Sequence, residues 1–179
     1  MKKSIYDRPV KTKREVSKSA FNFLFSEIVQ YSQSRSNRDA QILTNQLEEL
    51  GYPLGLKFLE LTCLREKSST KEHTIINMLR FIRDPFWRTL FNKPAGDIEQ
   101  STVDDCMFMI YEDEPSLCNQ FSSAPRGQER INCSAFVAGI IEGLLNASGF
   151  AARVTAHFSN DSTVFLVKFA PETIKNRNV

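Results

Sequence analysis

The stretch from Asn132 to Phe150, NCSAFVAGIIEGLLNASGF, constrains the fold more than any other. On a helix, Phe136, Val137, Ile140, Ile141, Leu144 and Leu145 surround most of the circumference, and only Glu142 and Asn146 interrupt them. A helix that is apolar nearly all round has no wet face and belongs in a core. Asn132 or Ser134 can cap its start by accepting from the free amides of the first turn. Gly149 stands where a left-handed residue would end it. Gly139 and Gly143 are spaced to clear one side, so a sheet or another helix can approach the backbone closely. The same GxxxG spacing occurs in membrane dimers, but this run falls short of the roughly 20 residues that span a bilayer. It reads as a core helix.

The remaining 160 or so residues must supply what covers that helix, and a 179-residue chain is long enough to do so as one domain. Residues 1–16 hold six Lys or Arg against Asp7 and Glu15 and read as a flexible basic tail. From Ser17 or Ser19 a helix begins. Phe21, Leu24, Phe25 and Ile28 make its stripe, with Phe23 and Val29 off it. A second helix from Asn37 or Asp39 carries Ile42, Leu43, Leu47 and Leu50, and Gly51 is expected to close it. Pro53 then fits the first turn of a third helix running to about Arg65. Residues 66–71 read as a loop, with Thr70 capping the helix of Ile75, Ile76, Leu79 and Ile82. Asp84-Pro85 reads as a new cap and first turn for Phe86 to Phe91, ended by residues 92–96.

The pattern then changes from helical to extended. Met107 to Tyr111 is a buried strand, and residues 116–130 read as loop. Residues 153–158 and 163–169, around Ser159-Asn160-Asp161-Ser162, read as an antiparallel hairpin, with Val154, Ala156 and Phe158 facing one way. The polar tail 171–179 is expected to fray. Residues 17–170 therefore form a single α+β domain.

Chemistry is hard to find in these residues. Cys63, Cys106, Cys118 and Cys133 lie far apart without CxxC spacing, so reduced thiols are expected and zinc is not. No phosphate loop, GxGxxG, HExxH or G-x-S-x-G occurs, so no catalytic set, cofactor or metal is expected. Cys133 at the start of the central helix is the best thiol candidate, since a helix N-terminus stabilises a thiolate. Neither His73 nor His157 is placed by a local motif to activate it, and a buried cysteine usually acts as a small hydrophobe. Glu142 reads as a carboxylate paired at a helix edge. A formal charge of +2 argues against nucleic acid as the main partner. With no signal-like segment, a cytoplasmic protein is expected.

Several ordered stretches resemble the small subunits of the TRAPP tethering complex. They are Ser19-Ala-Phe-Asn-Phe-Leu-Phe-Ser-Glu-Ile-Val-Gln, Leu50-Gly-Tyr-Pro-Leu-Gly-Leu-Lys, Phe86-Trp-Arg-Thr-Leu-Phe-Asn-Lys-Pro-Ala and Leu117 to Pro125. Asn132 to Glu142 and Ser148-Gly-Phe-Ala-Ala-Arg-Val-Thr-Ala-His complete the set. The resemblance implies the Bet-type α+β fold of these subunits, with helices on one side of an antiparallel sheet, and a non-enzymatic role. It implies pairing with TRAPP subunit 3 through the first helices, and contact with subunit 2 and other subunits. The assembled complex is then a guanine-nucleotide exchange factor for a Rab GTPase. It tethers vesicles between endoplasmic reticulum and cis-Golgi, associating with membranes only peripherally and as a complex. Phe21, Phe23, Leu24, Phe25, Ile28 and Val29 are the expected partner interface. A lipid- or acyl-binding module is the alternative, because subunit 3 is acylated on a cysteine before its third helix. Here the corresponding residues, 66–73, contain no cysteine.

Overall fold

The computed structural model describes residues 17–36, 39–66, 72–112, 131–159 and 162–177. The basic tail, Thr70, residues 116–130 and the Asn160-Asp161 turn lie outside the described residues.

The Asn132–Phe150 stretch carries one helix, reached among the described residues after four other α-helices and two strands. α1 is Lys18–Arg35, α2 Ala40–Glu66, α3 Ile75–Phe81 and α4 Trp87–Phe91; β1 is Ile98–Gln100 and β2 Met107–Glu112. The central helix is α5, Ala135–Ala147, followed by β3 (Ala152–Ser159), β4 (Ser162–Phe169) and α6 (Pro171–Arg177). The four strands are antiparallel in the order β1-β2-β4-β3. Along β2 and β4 burial alternates residue by residue. Phe108, Ile110, Phe165, Val167 and Phe169 enter the core under the helices, which therefore cover one face of the sheet.

α5 packs chiefly against α2 and then β3. Val137, Ala138, Ile141, Leu144 and Leu145 are all buried, as an all-round apolar helix requires. Gly149 ends it at φ 84°, the left-handed geometry that glycine adopts without a Cβ penalty. Of the two expected caps, Ser134 holds the cap position, but its hydroxyl faces Thr163 Oγ1 at 3.5 Å. Asn132 instead accepts from the Ser134 amide at 3.2 Å.

Gly51 and Pro53 break nothing. α2 runs unbroken through both for 27 residues. Gly51 and Gly55 on α2 face Gly139 and Gly143 on α5, so two GxxxG faces meet. A Cβ added at Gly51 would stand 2.1 Å from the Phe136 carbonyl oxygen, and one at Gly143 would stand 2.0 Å from that of Tyr52. Gly51 is therefore a contact residue and not a helix terminator. Pro53 sits on the exposed side of α2.

Asp84-Pro85 likewise opens no new helix. Ile82–Phe86 is a π-helical turn linking α3 to α4, with Pro85 inside it. The Trp87 amide reaches back to the Ile82 carbonyl, five residues away, so the wider turn accommodates a proline that has no N–H to give. Thr74 caps α3, accepting from the Asn77 amide at 3.3 Å. Asn92, left-handed at φ 60°, closes α4. The segment from Glu172 is ordered as α6, anchored by Thr173 and by Ile174 against the core.

Candidate partner interface

The two first helices place large apolar side chains in water. On α1, Phe25 (1% exposed), Val29, Ser32 and Ser36 are buried, at i, i+4, i+7 and i+11. Phe25 meets Phe136 of α5 with ring centroids 5.3 Å apart. Serines 32 and 36 offer little bulk where α1 turns toward α2. Phe21, Phe23, Leu24 and Tyr31 are exposed, Phe23 by 75% and Leu24 by 61%. Phe21 covers the edge of Phe25, stacked at 5.9 Å. Leu24, half-buried Ile28 and Tyr31 line up at i, i+4 and i+7 beside the buried row, with Phe23 on the far side.

The six residues expected at a partner interface thus divide. Phe25 and Val29 hold α1 to its own fold, Ile28 lies between, and Phe21, Phe23 and Leu24 face outward. The expected stripe was rotated, because the greasiest line on α1 is not the one that faces the core. Exposed Tyr31 continues the Leu24–Ile28 spacing. α2 behaves in the same way. Leu43 and Leu47 are buried, whereas Ile42, Leu50, Tyr52, Leu56 and Leu64 are exposed.

A polar cluster marks the opposite border of α2. Arg153 on β3 reaches Glu48 of α2 at 2.5 Å and Glu142 of α5 at 3.1 Å. Both carboxylates are largely buried, while the Arg153 side chain is 59% exposed. Burial pushes the Glu48 carboxyl above its usual value; Arg153 opposes that rise and nearby Glu142 adds to it. Glu142 also accepts the Val154 amide at 2.9 Å. One turn on, Asn146 accepts the Ala152 amide at 3.1 Å, and Asn132 donates to the Ala156 carbonyl at 2.7 Å. The two polar residues interrupting the apolar helix therefore close the edge of β3, where unpaired backbone groups would otherwise invite another strand.

Cys133 is 1% exposed. His157 is exposed and shares a hydrogen with Thr155 Oγ1 at 2.8 Å. Among the described residues, no three His, Cys, Asp or Glu side chains are grouped to hold a metal ion. No described helix is long and apolar enough to cross a membrane.

The sequence model of the family described as "Transport protein particle (TRAPP) component" matches residues 21–170. The chain belongs to this TRAPP family. Its relatives include the trafficking protein particle complex subunit 5 of Dictyostelium discoideum, 44% identical over 96% of this chain and 95% of that protein. The human subunit 5 is 41% identical over 89% of this chain and 84% of its own length. Among solved structures, a TRAPP subunit 3 from Naegleria fowleri, covalently bound to palmitic acid, superposes with a TM-score of 0.73. It is 18% identical and covers 84% of this chain and 93% of its own. That superposition bears on the fold, which is the TRAPP small-subunit fold of helices on a four-stranded antiparallel sheet.

Proposed function

We propose that this chain is a structural, non-catalytic subunit of a TRAPP vesicle-tethering complex, and that its outer α1–α2 surface is covered by another subunit. The observation that carries the reading is the exposure of Phe23, Leu24 and Tyr31 on α1 together with Ile42 and Leu50 on α2. Burying large aliphatic and aromatic side chains contributes about 1.5–3 kcal/mol each, and helices that leave them wet gain by pairing. TRAPP subunit 3 is the partner we assign to this surface, with subunit 2 at a second contact. The assembly then supports nucleotide exchange on a Rab GTPase in ER-to-Golgi transport. The chain itself works at the cytoplasmic side of cis-Golgi and endoplasmic reticulum membranes, held there only through the complex.

Co-expression with TRAPP subunit 3 followed by size-exclusion chromatography tests this. One stable heterodimer is expected, lost in the F23E/L24E double variant while the chain's own thermal unfolding is unchanged. Two separate monomeric peaks from the unmodified pair would refute the assignment.

The acyl-binding alternative draws on the palmitate-bound subunit 3. In this chain residues 66–73 offer no cysteine to form a thioester there, so a lipid would have to be held without a bond. Native mass spectrometry of protein purified from cells separates the two readings. A mass increment of one fatty chain supports the alternative, and the bare polypeptide mass removes it.

A further inference from the structure

A second surface lies away from α1, along the outer side of α3, the π turn and α4. Asn77, Arg80, Asp84 and Arg88 recur there at helical spacing, with Arg83 beside them and half-buried Phe81 and Pro85 between. Pro94 and Glu72 form the far walls of a cleft of about 840 Å³. The π turn builds this cleft. Because the Trp87 amide bonds Ile82, the Arg83 carbonyl is available to the Ala95 amide at 2.8 Å, which draws the loop after Asn92 against the helix. Such turns inside α-helices recur at functional sites.

We propose that this cleft binds an extended segment of another TRAPP subunit that carries acidic side chains at alternate positions. The proposal rests on the TRAPP reading only for who supplies the segment. Among the described residues, the Arg80 side chain has no hydrogen bond or ion pair. Arg83 and Arg88 are held by Asp97 (3.3 Å) and Asp84, but these pairs are at least 47% exposed on every side chain. Exposed pairs contribute about 0–1 kcal/mol, so a carboxylate from outside can exchange for them at little cost. Guanidinium forks beside aromatic and proline surface in a concave site have the composition of interface hot spots.

The spacing selects the ligand. Arg80 and Arg88 stand roughly 10–12 Å apart along the axis, since the π turn between them rises less per residue than the 1.5 Å of an α-helix, and that is too far for one phosphate to bridge. In an extended chain alternate residues are about 6.6 Å apart, so Glu-x-Glu-x-Glu spans about 13 Å on one face. Glu72 and Asp84 in the lining oppose a uniformly anionic membrane, whereas for a peptide Arg83, beside Asp84, is there to meet the middle acid.

The test places a photo-crosslinking amino acid at Asn77 of the full-length chain in cells, and in a second preparation at Leu24 on α1. Asn77 is expected to capture a segment of another subunit with alternating acids. R80E/R88E should lower that yield at least tenfold while capture from Leu24 is unchanged, which also verifies the fold. Capture of nothing, of lipid or of a segment without alternating acids would overturn the proposal, as would a yield indifferent to R80E/R88E. The Leu24 result reports separately on the α1 surface, so either reading can fail alone.

Discussion

α2 has two apolar sides with opposite fates. Toward α5, Gly51 and Gly55 bring backbone against backbone, and nothing larger than hydrogen fits between them. Away from α5, Ile42, Leu50, Leu56 and Leu64 stand in solvent, and α1 repeats the contrast with Phe25 inside and Phe23 outside. Hydrophobicity does not distinguish the two sides, because leucines lie on both. What distinguishes them is shape: the inner side is complementary to α5, and the outer side has no such counterpart among the described residues.

The largest effect should come from filling the inner contact. Gly143→Leu must drive a side chain into the Tyr52 carbonyl and push α2 from α5, which should cost about 3 kcal/mol or more, or prevent folding. Urea denaturation of the soluble fraction measures it, and a loss under 1 kcal/mol would show that the two helices slide apart freely. Next, two phenylalanines on one helix sharpen the comparison. Phe25→Ala should cost about 3–5 kcal/mol by leaving a cavity against Phe136. Phe23→Ala should change the stability of the isolated chain by less than about 0.5 kcal/mol. Equal losses at the two positions would erase the distinction between the sides.

Arg153→Ala probes the border between them. It leaves Glu48 and Glu142 buried without a cation, for an expected loss of about 2 kcal/mol. That is below the 3–5 for fully buried pairs, because Arg153 is 59% exposed. Denaturation at neutral pH is the check, and a neutral result would assign the cluster no part in joining α2 to β3. The smallest effect concerns pH. Burial raises the Glu48 pKa above its ordinary 4.5 in the folded chain. Below that ordinary value the group is protonated in both states. As pH climbs toward the raised value, the folded chain must release a proton it holds more tightly than the unfolded chain does. Stability therefore falls across that window and then levels. E48Q removes the fall, so its stability relative to the unmodified chain should improve between pH 4.5 and neutrality. Parallel curves would contradict the burial of this carboxylate.

Much of the fold was legible in the residues, because binary patterns are local. The all-round apolar α5, the short apolar run of β2 and the β3–β4 hairpin each announce themselves within their own sequence. The joints were misread where a residue's role depends on what faces it from afar. Gly51 looks like a terminator until α5 is laid against it, and Pro85 looks like a helix start until the turn widens to π. The register of α1 failed for the same reason. Ser32 and Ser36 are buried where α1 turns toward α2, which no count of apolar residues on α1 can show. Glu142, read as a carboxylate paired at a helix edge, is paired with Arg153 and the Val154 amide, and Asn146 four residues on closes the same strand edge.

The central claim is that the outer side of α1 and α2 is an interface. Hydroxyl-radical footprinting of the full chain, alone and mixed with TRAPP subunit 3, tests it residue by residue. Phe23, Leu24 and Tyr31 should be oxidised readily in the free chain and several-fold more slowly in the mixture, while buried Phe25 stays unreactive in both. Unchanged oxidation of Phe23, Leu24 and Tyr31 in a mixture that has formed a complex would place the partner elsewhere and contradict the account.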